Sequence, residues 1–299
     1  MVSGGVLIAC ALSLLLVSCG GGGGGGSDDD DTPVSDFVAV PGATFNGTAS
    51  IADSVVFITG RTVTIPNLLV CDHEVTQAEY QSVMGANPSH FSGTNKPVEY
   101  VSWYDAIMYC NRRSDGEGRT SCYKVNGNVD TSQWGYTPNA GNSISGSITC
   151  DFAANGYRLP TEAEWEYLAR GGNLTNSGQT TYSGSNTIGS VAWYEENARL
   201  VGTDSPDYGT HPVKTKNPNG KTLYDMSGNV YEWCWDWYDS NGITASTPST
   251  GAASGSLRVF RGGSWNYNAS YCTVSIRSSN PPYNRAYSLG FRVVCSRSE

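Results

Sequence analysis

The sequence predicts an α+β fold that is loop-rich, with short strands and a few helices, and three observations carry this reading. Charged residues make up 15% of the chain while Gly numbers 36 and Tyr 18, a mixture suited to a loop-rich globular domain and not to a helical bundle or a disordered chain. Three capping boxes mark helix starts: Thr76 with Glu79, Ser102 with Asp105, and Thr161 with Glu164. The other apolar runs are short and bounded by turn residues, as strands are. At 299 residues the chain has room for one large domain or two ordinary ones, and nothing in it forces a second core.

Residues 1–18 read as a lipoprotein signal peptide. The apolar run from Val6 to Val17 is too short to span a bilayer, and Leu16-Val17-Ser18-Cys19 resembles a lipobox, the bacterial signature at which cleavage leaves a diacylated Cys19. Met1 to Gly5 carry no Lys or Arg, a departure from the usual basic start. Residues 19–35 form a tether: Gly20 to Gly26 have no side chains to pack, and the carboxylates of Asp28 to Asp31 repel one another. Four consecutive Asp do not make a calcium site, because they cannot converge on one ion without a shaped loop. A lipid followed by a flexible spacer places the domain in the cell envelope, anchored to the outer membrane and exposed at its surface.

The folded domain is expected over residues 36–299. Phe37 to Val40 read as a strand ended by Pro41-Gly42, and Val55–Ile58 with Arg61–Ile65 suggest a hairpin about Thr59-Gly60. A first helix follows Thr76, its Tyr80, Val83 and Met84 forming a stripe that stops at Gly85. A second runs from Trp103 to about Arg112 behind Ser102, with Ala106, Ile107, Tyr109 and Cys110 facing a core. Residues 115–156 read as loops and small strands, and a third helix runs from Thr161 through Arg170 to Gly171-Gly172. Glu162, Glu164 and Glu166 invite an acid/base reading, but two of them lie in the first turn, where the helix dipole favours carboxylates, so capping is preferred.

Charge and cysteine usage exclude some functions. A net charge of −9 and a pI near 4.8 argue against nucleic acid, whose binding needs Lys and Arg to displace counterions. Beyond Cys10 and Cys19 the chain has Cys71, Cys110, Cys122, Cys150, Cys234, Cys272 and Cys295, an odd set whose pairing the spacing does not give. No two stand at a CxxC interval, and His73, His90 and His211 are far apart, so the usual zinc patterns are absent.

The last forty residues carry the strongest functional signal. A frame opens at Arg261-Gly262-Gly263-Ser264-Trp265 and closes at Leu289-Gly290-Phe291-Arg292-Val293-Val294. Between them, 13 of the 23 positions from 266 to 288 are Asn, Tyr or Ser. Binding loops favour those types, because Tyr gives a large rigid contact while Ser and Asn give adaptable hydrogen bonds. An ordinary polar loop has a similar composition.

Four ordered motifs resemble a known family. Tyr157-Arg158-Leu159-Pro160-Thr161-Glu162-Ala163-Glu164-Trp165-Glu166-Tyr167, Asp225-Met226-Ser227-Gly228-Asn229-Val230-Tyr231-Glu232-Trp233, Arg261 to Trp265, and Gly290-Phe291-Arg292 are similar to the formylglycine-generating (sulfatase-modifying factor) domain over roughly residues 36 to 295. The resemblance implies a variant of the C-type lectin fold with its termini joined by strand pairing. Enzyme members are oxidases that convert a sulfatase Cys or Ser to formylglycine with copper held by two Cys, soft thiolates that suit Cu(I). Those positions are here Tyr267 and Cys272, so the ligand pair is broken; Cys272 is then expected as a small buried apolar residue and the chain as no enzyme. The family's calcium sites would place a structural calcium at Asp225, Gly228, Val230 and Glu232, hard oxygen donors, although Asn229 and Glu232 have an equal alternative role in tying loops together. Trp233, Trp235, Trp237 and Tyr238 are expected to pack a core and not to form a carbohydrate-stacking platform.

The end of the chain also resembles the variable region of diversity-generating retroelement proteins of the treponemal type. A spaced frame of Ala269, Cys272, Val274, Arg277, Pro281 and Arg285 lies between Arg-Gly-Gly-Ser-Trp and Gly-Phe-Arg. In such systems template adenines are copied with errors, so Asn codons diversify to Asn, Ser, Tyr, Ile, Ala, Thr and others but never to Lys, Glu, Gln, Met or Trp; none of those five occurs from 266 to 290. The resemblance implies a surface lipoprotein with its variable region at about 261–294, binding ligands through Asn266, Tyr267, Asn268, Ser270, Tyr271, Ser275, Ile276, Ser278, Ser279, Asn280, Tyr283, Asn284, Ala286, Tyr287 and Ser288, with Val274 pointing inward. The expected partner is a protein or other macromolecule, or a glycan, met by a monomer that needs no cofactor beyond the structural calcium. The alternatives are a divergent oxidase acting on a protein substrate and a sugar-binding lectin.

Overall fold

Among the described residues, three short α-helices and twelve short strands leave most of the backbone in loops, in keeping with the composition. The computed structural model describes residues 36–140 and 143–297. The signal peptide 1–18, Cys19 and the tether 19–35 lie outside the described residues.

Strand β1 is Phe37–Val40, β2 Ala43–Phe45, β3 Val63–Ile65 and β4 Leu68–Cys71. The expected hairpin about Thr59-Gly60 does not form. β3 pairs instead with β2, Ala43 opposite Ile65. The reason is local: the Ser54 hydroxyl accepts from the Val56 and Phe57 amides, and Ile51 N–H donates to the Phe57 carbonyl, so residues 51–57 close as a turn that buries Val56 and Phe57.

All three helices start at the capping boxes read from the sequence. Helix α1 is Gln77–Met84, stopped by Gly85 at φ 79°, and α2 is Trp103–Gly116. The second runs a turn beyond the expected Arg112, because Ser114 donates to the Cys110 carbonyl and Arg113 pairs with Glu117 and Glu79. β5 (Tyr123–Val125) and β6 (Ile148–Cys150) form a ribbon in the loop-rich middle. β7 (Tyr157–Arg158) leads into helix α3, Glu162–Ala169, closed by Gly171 and Gly172 at positive φ.

The C-terminal part supplies β8 (Tyr231–Trp237), β9 (Arg258–Arg261), β10 (Arg277–Asn280), β11 (Leu289–Gly290) and β12 (Val294–Ser296). One sheet has the order β1-β4-β12-β7, so both ends of the domain meet through β4. The other has the order β10-β9-β8-β11, with β11 parallel to β8. One apolar cluster fills the space around α1 and α2 with Tyr80, Trp103, Tyr109, Trp233 and Phe291; a second lies under α3 with Phe57, Trp165, Leu168, Val259 and Val274. Val274 thus points inward as its alternation predicts.

Buried arginines hold these layers together, most of them paired with a carboxylate. Arg158 and Glu164 pair through two bonds of 2.6 and 2.7 Å, and Arg292 grips Glu232 through two of 2.7 Å. Glu162 pairs with Arg277, and Glu166 with Arg170 and Arg261. All three α3 carboxylates are therefore spent on structure, in agreement with the capping reading. Arg258 sits over the rings of Trp103, Trp235 and Trp237 at 3.8, 4.9 and 3.4 Å from their centroids. With Trp233 buried and its Nε1 bonded to the Val101 carbonyl, the alternating tryptophans form a core clamp around a guanidinium. Desolvation between those rings lowers the Arg258 pKa to about 9.

Candidate functional site

The segment from Trp265 to Leu289 winds across one end of the second sheet, and its frame residues are anchors. Trp265 Nε1 donates to the Tyr287 carbonyl at 3.1 Å, and the Trp265 amide to the Asn229 carbonyl. Cys272 is buried in the 3-10 turn Ala269–Cys272, where Asn268 caps Ser270 N. Arg277 reaches Glu162 at 2.6 Å, and Arg285 reaches Asp105 at 3.0 Å and the Tyr136 hydroxyl at 2.8 Å. These inward contacts fix the backbone, so intervening side chains are directed outward.

Tyr267, Tyr271, Tyr283 and Tyr287 are exposed by 39, 41, 51 and 50%, unusual values for rings that size. Asn268 and Ser270 are exposed beside them. Asn266, Ser275, Ile276, Ser278, Ser279, Asn280, Asn284 and Ala286 are half-buried; of these, Ser278, Ser279 and Asn280 lie on β10, an edge strand paired on one side only with β9. Ser288 departs from its expected exposure. It is buried, because its carbonyl must accept the Tyr231 amide where the chain enters β11.

The tyrosines form two groups. Tyr267 meets Tyr271 and the buried Tyr231 edge-on, each at 5.2 Å. Tyr287 stacks on His90 at 4.7 Å and on Tyr100 at 5.5 Å. His90 and Tyr100 come from a different part of the chain, are exposed, and were not picked out by the sequence reading. Tyr100 holds φ 64°, unfavourable for a bulky residue, and its amide donates to the Ala286 carbonyl at 3.0 Å. Beneath the loop that carries His90, buried Glu99 accepts the Phe91 amide at 2.8 Å, and desolvation pushes its carboxyl up to about 7. Nothing in the local sequence around Tyr100 signals this meeting.

The face presents broad rings with polar rims, together with hydroxyls and amides. Cys272 is a thiol, since burial pushes its pKa up to about 12, and Tyr267 stands where the resemblance expected a first thiolate. All seven cysteines from Cys71 to Cys295 are free.

Under the face lies the segment of the expected calcium ligands. Gly228, at φ 82°, is required there, since a Cβ would sit 2.2 Å from the Trp193 carbonyl oxygen. Glu232 is committed on both oxygens, to Arg292 and to Trp165 Nε1. Asp225 Oδ2 accepts the Lys214 amide, whereas its Oδ1 is buried without a partner. Glu74 accepts from Asn229 Nδ2 and from the amide of buried Val230. Burial pushes the Asp225 carboxyl up to about 6, and burial with the neighbouring Asp225 and Glu232 raises that of Glu74. Of these three carboxylates, Glu74 and Glu232 have both oxygens bonded, and Asp225 Oδ1 is the one oxygen left that could serve a hard cation.

Comparison with known proteins agrees with this architecture. The chain is 36% identical over 273 residues to the chaperone protein LppX of Paenibacillus barcinonensis, covering 84% of this chain and 92% of that one. It is 32% identical over 237 residues to the formylglycine-generating enzyme of Streptomyces coelicolor, covering 73% of this chain but 58% of the enzyme. Among solved structures, Treponema denticola variable protein 1 superposes with a TM-score of 0.74 at 38% identity, over 87% of this chain and 95% of that one. CarF superposes with a TM-score of 0.65 at 26% identity, over 88 and 98%. The sulfatase-modifying factor enzyme 1-like domain matches residues 26–297, and with its C-type lectin-like fold the chain belongs to that family.

Proposed function

We propose that this protein is a lipid-anchored, surface-displayed binding protein, the variable protein of a diversity-generating retroelement. It would hold a protein or other macromolecular ligand on the face formed by residues 266–288 and perform no oxidation. The observation that carries this reading is the division of labour along the segment. Trp265, Cys272, Val274, Arg277 and Arg285 are anchored inward, while Tyr267, Tyr271, Tyr283 and Tyr287 are exposed. Similarity to a variable protein, and to a relative called a chaperone protein, supports a protein-binding role. The pairing of a buried thiol with Tyr267 supports binding over copper chemistry. Cys19 would carry the lipid and residues 19–35 the spacer.

A displayed library tests this. The outward positions other than Ser288 are randomised, every frame residue is kept, and clones are selected against hen lysozyme. Most clones should fold with stability within about 0.5 kcal/mol per changed position, because the substitutions are at the surface. Binders should emerge that lose about thirtyfold or more in affinity when a face Tyr becomes Ala. A library that is largely unfolded, or that yields no binders, counts against the proposal.

Calcium at Asp225, with the Glu74 carboxylate beside it, is proposed as a support for this face. Millimolar calcium should raise Tm by about 3 °C or more, with reversal by EGTA and blunting in Asp225→Asn. An unchanged Tm would remove calcium from the account.

A further inference from the structure

Away from the tyrosines, a polar cavity of about 630 Å³ opens between residues 52–53, the segment 176–186 and Thr273–Ser275. That volume lies within the ordinary range for small-molecule sites, but such sites are usually apolar. Here the walls are amides and hydroxyls, from Asn176, Gln179, Thr180, Thr181, Asn186 and Thr273. They suit a ligand that carries many hydrogen-bonding groups of its own.

Arg170 also lines the cavity, and its side chain is 1% exposed. Its Nε donates to Glu166 at 2.9 Å and its Nη1 to Gln179 at 2.6 Å. Its Nη2 is buried and has no hydrogen-bond partner. A guanidinium nitrogen left so is desolvated without compensation, a penalty that a bound acceptor would remove.

Charge points the same way. Glu162, Glu166 and Asp236 face Arg61, Arg170, Arg261 and Arg277, three carboxylates against four guanidinia, so the guanidinia outnumber the carboxylates by one. In a chain of net charge −9 that surplus is local and buried. Asp53, the carboxylate of the lining, is exposed and offers an acceptor for hydroxyls.

We infer that the cavity is a small-molecule site for a sugar acid, a polyhydroxylated carboxylate. The carboxylate meets Arg170 Nη2 and the hydroxyls meet the amide and hydroxyl walls. The cavity borders the 266–288 segment at Thr273–Ser275 but uses none of its exposed tyrosines, so glucuronate binding is tested apart from binding at the tyrosines.

Titration calorimetry on the whole protein tests this with D-glucuronate, with D-glucose as its uncharged counterpart and with acetate as the bare anion. Glucuronate should bind about tenfold or more tighter than either, since it alone carries both features. Arg170→Lys keeps the charge but loses Nη2 and should weaken glucuronate by about tenfold or more. Thr273→Tyr leaves the Arg170–Glu166 pair in place and fills the cavity, and should abolish binding even if the arginine variant fails to fold. Absence of glucuronate binding, equal affinity for glucose or acetate, or undiminished binding to Thr273→Tyr would each overturn the assignment.

Discussion

Arg292→Ala is expected to lower the unfolding free energy by about 3–5 kcal/mol, the largest loss from any single side chain discussed above. Arg292 is fully buried. Its Nε and Nη2 hold both oxygens of Glu232 at 2.7 Å, while Nη1 and Nη2 also donate to the Cys71 and Tyr224 carbonyls. Truncation leaves Glu232 charged in the core with Trp165 Nε1 as its remaining donor, beside Asp225 and Glu74. The double change Arg292→Met with Glu232→Leu should recover most of the loss, because an apolar pair of similar volume leaves no charge uncompensated. Urea midpoints measured at constant m-value check both; a loss below about 1 kcal/mol would mean that water or relaxation screens the site.

The same cluster sets a pH dependence. Asp225 titrates near 6 in the folded state, above its ordinary value of 3.8, so folding takes up protons there. Its contribution is fully present below about pH 3.8 and is lost as pH rises through about 6. Removing Arg292 raises the carboxylates further, so the deficit of Arg292→Ala should narrow from pH 7 to pH 5.

Gly263→Ala is expected to cost about 2–5 kcal/mol and to disturb the binding face along with the core. Gly263 has φ 76°, and a Cβ there would lie 2.6 Å from Cys272 Sγ and 2.8 Å from both Cys272 Cα and the Tyr271 carbonyl oxygen. Two of these contacts are backbone, so the 3-10 turn Ala269–Cys272, which carries Tyr271, must move. Gly85→Ala is the control. Its φ is 79° but a Cβ there meets nothing within 4 Å, so it should show the backbone term alone, about 1 kcal/mol. Equal losses at the two positions would show that Gly263 is needed for conformation and not for close approach.

The outward tyrosines are expected from the Asn-, Tyr- and Ser-rich composition of the segment and from its resemblance to a variable region, and Val274 is expected inward from its alternation with polar neighbours. Cys272, Val274, Arg277 and Arg285 recur between polar positions, and the structure turns each inward. Ser288 was misjudged because its place depends on the strand it enters, which composition does not show. His90 and Tyr100 were missed for the same reason: each belongs to the face through a ring stack with Tyr287, nearly two hundred residues away.

By itself, the sequence determined what is settled within a few residues. Capping boxes close between positions three apart, and a side chain's alternation follows from its own neighbours, so the helix starts at Thr76, Ser102 and Thr161 and the inward turn of Val274 were written locally. Only the tertiary structure decided which strand β3 joins, which carboxylate each arginine meets, and that Tyr100 reaches Tyr287. Those outcomes balance desolvation and pairing between distant segments, and no stretch of sequence holds both partners.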